Sequence, residues 1–309
     1  MNALQLTLLV LFAVFPILYL RSPKRPALAF GYLRGLVLTL ACIAVMSPFA
    51  WLIAAAFKDK SVFNEYIFFP PLSEWSTKTM NLNNFRRLFA GQTSVNGSVY
   101  FWQYLLNSTV YTTVTTCLQL FFASLSGYAL SKYDFKGKRV LMTFMIGSTM
   151  IPGVLLLAPV YKMFVDLKLI DSIPGLIVTG AVSAYGIFLF RQAIMAVPNE
   201  IIDAGRMDGC SEFGIYFKLV MPLVKPMSAA FCMFVFLAQW NAFFAPNIFL
   251  QSQNNLTAPI VVRNYISLYQ QEYGVFLAGT LLAIIPPAIL FFALQKEFVA
   301  GLSAGAVKG

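Results

Sequence analysis

Between Leu36 and Phe57 the chain runs without one charged side chain, and comparable apolar stretches recur almost to its end. A helix needs about 20 residues to cross the roughly 30 Å hydrocarbon core of a bilayer, and within that core every backbone polar group must be paired inside the protein. Runs of this kind restrict a chain to transmembrane helices or a closed barrel. Barrel strands alternate apolar and polar side chains over roughly ten residues, and Leu36–Phe57 does not alternate. The expected fold class is all-α, a polytopic membrane protein. Composition agrees, since 59% of the 309 residues are hydrophobic and only 11% are charged, outside the range of an ordinary soluble domain.

Spans are expected at about 34–57, 105–131, 139–165, 172–193, 226–250 and 275–296. A further apolar run, 4–20, is followed by Arg21, Lys24 and Arg25 rather than preceded by positive charge. Signal peptides carry their charge first, so 4–20 reads as an extra N-terminal transmembrane helix, and 1–33 as that helix with a basic cytoplasmic linker. Basic residues concentrate in cytoplasmic loops. Placing 21–34 inside puts Lys132, Lys136, Lys138, Arg139, Arg191, Arg206, Lys218, Lys225, Lys296 and Lys308 inside as well. It leaves outside Lys58, Lys60, Lys78, Arg86, Arg87, Lys162, Lys168 and Arg263, most of them in the long segment 58–104. That segment, with Pro70-Pro71, Asn81, Asn83 and Asn84, reads as a partly ordered external lobe. The formal charge of +10 is dispersed between spans and marks topology, not a nucleic-acid partner.

The chain has no histidine, which removes His-based catalysis and His metal ligands. Cys42, Cys117, Cys210 and Cys232 have no C-x-x-C spacing and read as small hydrophobes. No metal or cofactor site is expected. No G-x-x-x-x-G-K-[ST] stretch exists, and the nearest fragment, Phe135-Lys136-Gly137-Lys138-Arg139, lacks the leading glycine and the hydroxyl residue that a phosphate-cradling loop needs. The polar residues of the spans, among them Asn107, Thr112, Gln119 and Gln239, serve helix–helix hydrogen bonding by default. Trp240 and Asn241 stand apart, because an indole face and a carboxamide suit the apolar face and hydroxyls of a sugar. The spans carry no central carboxylate of the kind that ion-coupled carriers use, so a secondary carrier is the weaker alternative. An integral-membrane transferase is weaker still, since Asp203, Asp208 and Glu212 do not fall at a recognisable ligand spacing.

The most unusual segment is Pro198–Pro226, where Glu200, Asp203, Arg206, Asp208, Glu212 and Lys218 crowd between apolar spans. Pro198 suits the start of a helix, with Asn199 helping to cap it. Helical spacing puts Glu200, Asp203 or Ala204, and Met207 on one face. Gly209 supplies a left-handed stop, and a second short helix is expected from Cys210 or Ser211 to just before Pro222. Such a pair would lie along the membrane surface as a docking element.

Glu200, Asp203-Ala204, Asp208-Gly209 and Pro222 resemble the EAA loop of ABC importer permeases, although Ile201 and Ile202 interrupt its E-A-A triplet and Cys210 replaces the commoner alanine. The tail from Phe298 to Gly309, L-L-N-S-T at 105–109 and Q-W-N-A-F-F-A-P at 239–246 resemble the carbohydrate subgroup related to maltose importers, in particular its second permease. The resemblance implies a six-helix ABC type I importer permease core over 34–309, with the EAA loop at 196–222 and a cytoplasmic tail at 297–309. It implies ATPase coupling through Glu200, Asp203, Ala204, Met207, Asp208, Gly209 and Pro222, a tail contact with the ATPase through Gly301, Gly305 and Lys308, and a substrate pathway including Trp240, Asn241 and Asn107. It also implies a second permease, a pair of cytoplasmic ATPase subunits that bind ATP and magnesium, an extracytoplasmic solute-binding protein, a sugar substrate, and location in a bacterial inner membrane.

Overall fold

The structure, a computed structural model, describes residue 14 and residues 26–94, 97–266 and 271–306. Apart from Val14, the expected helix at 4–20 lies outside the described residues, as does Lys308. The described residues up to Asn84 form one unit and those from Phe85 onward form another.

In the first unit, helix α1 (Pro26–Phe57) runs through Pro48. A proline removes the amide that the carbonyl four residues back would accept from. Here that carbonyl belongs to Ala44, and it takes the Ser47 hydroxyl at 3.0 Å instead. At the far end, buried Asn84 donates to the orphan carbonyls of Ala56 and Lys58 at 2.9 and 2.8 Å. Buried Lys58 donates its ammonium to the carbonyls of Tyr66 and Ile67. Asp59 accepts from Asn81 at 2.8 Å and from the Ser61 amide at 3.1 Å, and these bonds, Asn81 foremost, hold its carboxyl below the ordinary range. Segment 58–84 is therefore an ordered lobe, built from side-chain bonds to main chain instead of a large apolar core.

A short helix, α2 (Asn83–Phe89), which enters the second unit at Phe85, leads to a hairpin of β1 (Gln92–Ser94) and β2 (Gly97–Val99) with Gln92 opposite Val99. The unit is organised around α3 (Phe101–Lys132), which packs against α6 (Ile173–Gly180), α7 (Ala184–Met195) and α11 (Lys225–Trp240). The α3–α7 approach is close because residue 127 is glycine: a Cβ there would stand 2.7 Å from Phe190 Cβ and 2.8 Å from the Arg191 backbone nitrogen. Phe190, Ile194, Ile215, Tyr216 and Phe231 fill the core beside it. Some polar residues of α3 bond to partners across the unit, whereas the buried hydroxyls of Thr112, Thr115 and Thr116 have no partner among the described residues. Ser108 Oγ accepts the Ala258 amide at 2.8 Å, Gln119 donates to Gly180 O at 2.6 Å, and Ser124 and Tyr216 share a hydrogen bond of 2.6 Å.

Among the described residues three helices are long and apolar enough to cross a membrane, Phe30–Phe57, Phe101–Lys132 and Tyr273–Glu297, and the number rises to six if three bent pairs each count as one span. The run expected at 139–165 divides into α4 (Lys138–Ser148) and a stretch ending in α5 (Leu157–Asp166), bent by 92°. The break falls before Pro152, where the α conformation is disfavoured for the preceding residue. The run at 172–193 bends by 46° between α6 and α7, where Ser183 accepts the Gly186 amide and starts the second helix afresh. The run at 226–250 ends as a helix at Trp240, and a separate helix α12 (Phe244–Phe249) follows. Cysteine also departs from expectation: Cys42, Cys117 and Cys210 are free and exposed, and only Cys232 is half-buried, so core packing does not account for the first three.

Candidate functional site

The charged segment folds as a helical pair. Helix α8 (Asn199–Met207) buries Ile202 and Gly205 and exposes Glu200, Asp203, Ala204, Arg206 and Met207, with Met207 at 85% of its full accessibility. Pro198 is the cap position, not the first helical residue, and Asn199 gives no side-chain cap because its carbonyl oxygen accepts from Lys132 Nζ at 2.8 Å. Gly209 has φ +78°, the left-handed conformation that stops α8, as its position suggested.

The second half opens with Ser211, whose hydroxyl accepts the Gly214 amide at 3.2 Å, and runs as α9 (Glu212–Ile215). It does not end before Pro222. A π-helical turn at Tyr216–Val220 and a turn at α10 (Met221–Leu223) carry it through the proline to Leu223. The wider turn removes the steric conflict that a proline poses to the preceding α-helical turn. An 81° bend follows before α11.

Arg206 and Glu212 lock this pair to α3. Arg206 donates to Asp203 Oδ1 at 3.1 Å and to Glu212 Oε1 at 2.9 Å, and its guanidinium lies 5.9 Å over the Tyr133 ring. The other oxygen of Glu212 accepts the Tyr128 hydroxyl at 3.2 Å and the Tyr133 hydroxyl. Burial, and then its bond to Glu212, push the Tyr133 hydroxyl above its ordinary pKa. Lys132 at the end of α3 donates to the Val197 carbonyl at 2.5 Å. On the other side of the bend, Lys225 pairs with Glu297 of α15 (Ile285–Ala306) at 2.5 Å. Glu200 and Asp208 make no ion pair among the described residues, which leaves their charges available to a partner.

The remaining sequence-derived residues fall elsewhere. Trp240 is 3% exposed; its indole donates to Ala283 O at 3.1 Å and its ring stacks on Phe236. It lines, with Asn241 and Arg263, a mostly apolar cavity of about 660 Å³. Arg263 lies 4.3 Å over the Phe243 ring. Asn107 sits apart from that cavity and donates to the carbonyls of Asn254 and Leu256 at 2.8 and 3.0 Å. Gly301 and Gly305 are in the last turns of α15. Among the described residues no group of three or more His, Cys, Asp or Glu side chains could hold a metal ion.

Sequence reasoning missed Tyr128, Tyr133 and Lys132. Hydroxylated aromatics at the end of an apolar span read as interface-belt residues; the added signal is that they stand beside a lysine facing an acid-rich loop.

A charged helical pair anchored on a core of apolar, partly broken helices is the build of a multi-span membrane protein. Residues 119–303 match the family described as binding-protein-dependent transport system inner membrane component, and the chain belongs to that family. It is a transport subunit and not an enzyme. It is 40% identical over 232 residues to the arabinooligosaccharides transport system permease protein AraQ of Bacillus subtilis (strain 168), covering 75% of this chain and 80% of that one. It is 32% identical over 272 residues to the lactose transport system permease protein LacG of Rhizobium radiobacter, covering 88% and 94%. A bacterial ABC transporter involved in the import of the acidic polysaccharide alginate shares the fold, with a TM-score of 0.74 at 20% identity over 89% of this chain and 98% of that one.

Proposed function

We propose that this chain is one half of the translocation pathway of a bacterial importer for a sugar or oligosaccharide, set in the cytoplasmic membrane and driven by ATP hydrolysed elsewhere. The observation that carries the reading is the exposed face of α8, where Glu200, Asp203, Ala204 and Met207 stand clear while Ile202 and Gly205 pack inward. With Asp208, Gly209 and Pro222 they form the docking element for one of two cytoplasmic ATPase subunits, which supply the ATP and magnesium sites. A second permease completes the pathway, and an extracytoplasmic solute-binding protein delivers the sugar. Relatives named for arabinooligosaccharides and lactose support that substrate class.

When the ATPase pair closes, it displaces α8 and α9. The Arg206–Glu212–Tyr133 link and the Lys132–Val197 bond carry that displacement to α3, and Lys225–Glu297 carries it to α15. Since α3 packs on α6, α7 and α11, a shift of its end repacks the pathway between two discrete arrangements. Trp240 and Asn241 line the route, and Asn107 fixes the loop at 254–256. Gly301 and Gly305, with Lys308 outside the described residues, are assigned to contact with the ATPase. The test is co-purification of the detergent-solubilised complex, followed by uptake in liposomes supplied with the solute-binding protein. Recovery of a second permease and an ATPase with ATP-dependent sugar uptake is the expected result. A chain that purifies alone and transports solute down an ion gradient without ATP overturns the reading.

A further inference from the structure

The turn joining α3 to α4 frames a second cavity, of about 570 Å³, whose lining includes Asp134, Lys138, Arg139 and Arg191 together with the apolar Phe135 and Val140. Its charge is unbalanced. Lys138 is occupied by the Tyr133 carbonyl at 2.8 Å and by Asp134 at 3.1 Å, so the one carboxylate of the lining is matched by one lysine. Arg191 uses only Nε, donating to Leu130 O at 3.3 Å, and its two terminal amino groups have no partner among the described residues. Arg139 has no side-chain partner among them either, and no side chain caps the start of α4. Two guanidinium-bearing residues therefore line one space large enough for a phosphate. Guanidinium donors match phosphate oxygens in pairs.

The surroundings say what carries that phosphate. Helix α4 has no buried residue, and Val140 and Phe144 are 59% and 75% exposed on it, so its flank is apolar where it leaves the cavity. A polar headgroup site that continues into an apolar helix flank fits an amphiphile, and basic pockets beside spans at the inner face of a membrane bind anionic headgroups.

We propose that this cavity is a binding site for an anionic glycerophospholipid of the phosphatidylglycerol or cardiolipin class, with its phosphate on Arg139 and Arg191 and its acyl chains along α4. The site is separate from the α8–α9 pair and does not depend on which solute is carried.

The test uses the whole complex, exchanged into nanodiscs of phosphatidylcholine with a minor fraction of phosphatidylglycerol, and counts retained lipid by native mass spectrometry. The unmodified complex is expected to retain phosphatidylglycerol over phosphatidylcholine. Each charge removed at a membrane surface costs about five-fold in affinity, so R139Q/R191Q should retain it roughly twenty-five-fold more weakly, while R139K/R191K retains the preference. Equal retention by R139Q/R191Q overturns the proposal. Displacement of the lipid by millimolar inorganic phosphate at no cost to complex stability identifies free phosphate as the ligand and overturns it too. Should the glutamine variant fail to assemble, the lysine variant decides: an assembled R139K/R191K complex without a phosphatidylglycerol preference is equally contrary.

Discussion

Two polar clusters of the second unit are built on opposite principles. Around Asp171, side chains bond to main chain: its carboxylate accepts the amides of Gln251 and Ser252 at 2.9 and 3.0 Å, and Asn255 donates to its carbonyl at 2.6 Å. Around Glu212, side chains bond to side chains, from Arg206, Tyr128 and Tyr133. The first arrangement fixes the path of a loop and has one solution. The second joins two helices through groups that can exchange partners, at a site roughly half exposed on Glu212. The former suits a latch that holds the molecule together and the latter a joint that passes on a displacement. The contrast separates mutations that cost stability from mutations that cost coupling.

The largest effect should come from obstructing the close approach of α3 and α7. Gly127→Ala inserts a methyl group against the Phe190 Cβ and the Arg191 backbone, neither of which yields cheaply, and overpacking of this kind costs about 1–3 kcal/mol. The thermal midpoint of the purified complex should fall and transport with it. Next, Asp171→Ala leaves two amides without an acceptor at a cost of about 1–3 kcal/mol. This variant should unfold earlier yet keep solute-stimulated ATP hydrolysis at a permissive temperature; loss of stimulation there would erase the distinction between latch and joint.

A pH series sharpens the same point. Burial alone would raise the Asp171 carboxyl, but hydrogen bonds from Ser252 and Gln251 outweigh it and hold the group below its ordinary value. A depressed carboxyl contributes stability that is present above its unfolded pKa of about 3.9 and fades as pH falls through the lower folded value. Acidification below about pH 4 should thus destabilise the unmodified complex more than the Asp171→Asn variant, as measured by thermal unfolding across pH.

Gly209→Pro asks a residue locked near φ −65° to stand at φ +78°, a local strain of order 1–3 kcal/mol. It should leave the unit folded and abolish stimulation of hydrolysis by the loaded solute-binding protein. Smallest in stability are Glu212→Gln and Tyr133→Phe, each within about 1 kcal/mol because the site is water-exposed. Both should uncouple hydrolysis from transport, and the double variant should do no more than either alone. Additive losses would contradict the single link drawn here.

Much of this was legible in the chain and some was not. The apolar runs located the helices because hydropathy reports the environment of a whole segment. Pro152-Gly153 within its run implies a kink, but neither it nor hydropathy gives the 92° extent of the bend or the helix end at Trp240, since a run of apolar residues looks the same whether it crosses straight or turns back. Gly209 announced its own conformation, as glycine beside a short helix does. Pro222 misled, because the π turn that accommodates it depends on the packing of Tyr216 and Val220 and leaves no mark in sequence. Glu212 and Arg206 stood out as charges; Tyr133 did not, because its role comes from a helix far away in the chain.

The most direct test of the docking surface is a cysteine at its most exposed apolar point. With the four native cysteines replaced, Met207→Cys and, as control, Thr77→Cys of the lobe at 58–84 would be treated with a short bifunctional thiol reagent in the assembled complex. The account predicts a cross-link from position 207 to the ATPase subunit that changes in yield when ATP is added, and none from position 77. Absence of a cross-link at 207 in a complex that still hydrolyses ATP under solute control would contradict the assignment of α8 as the coupling element.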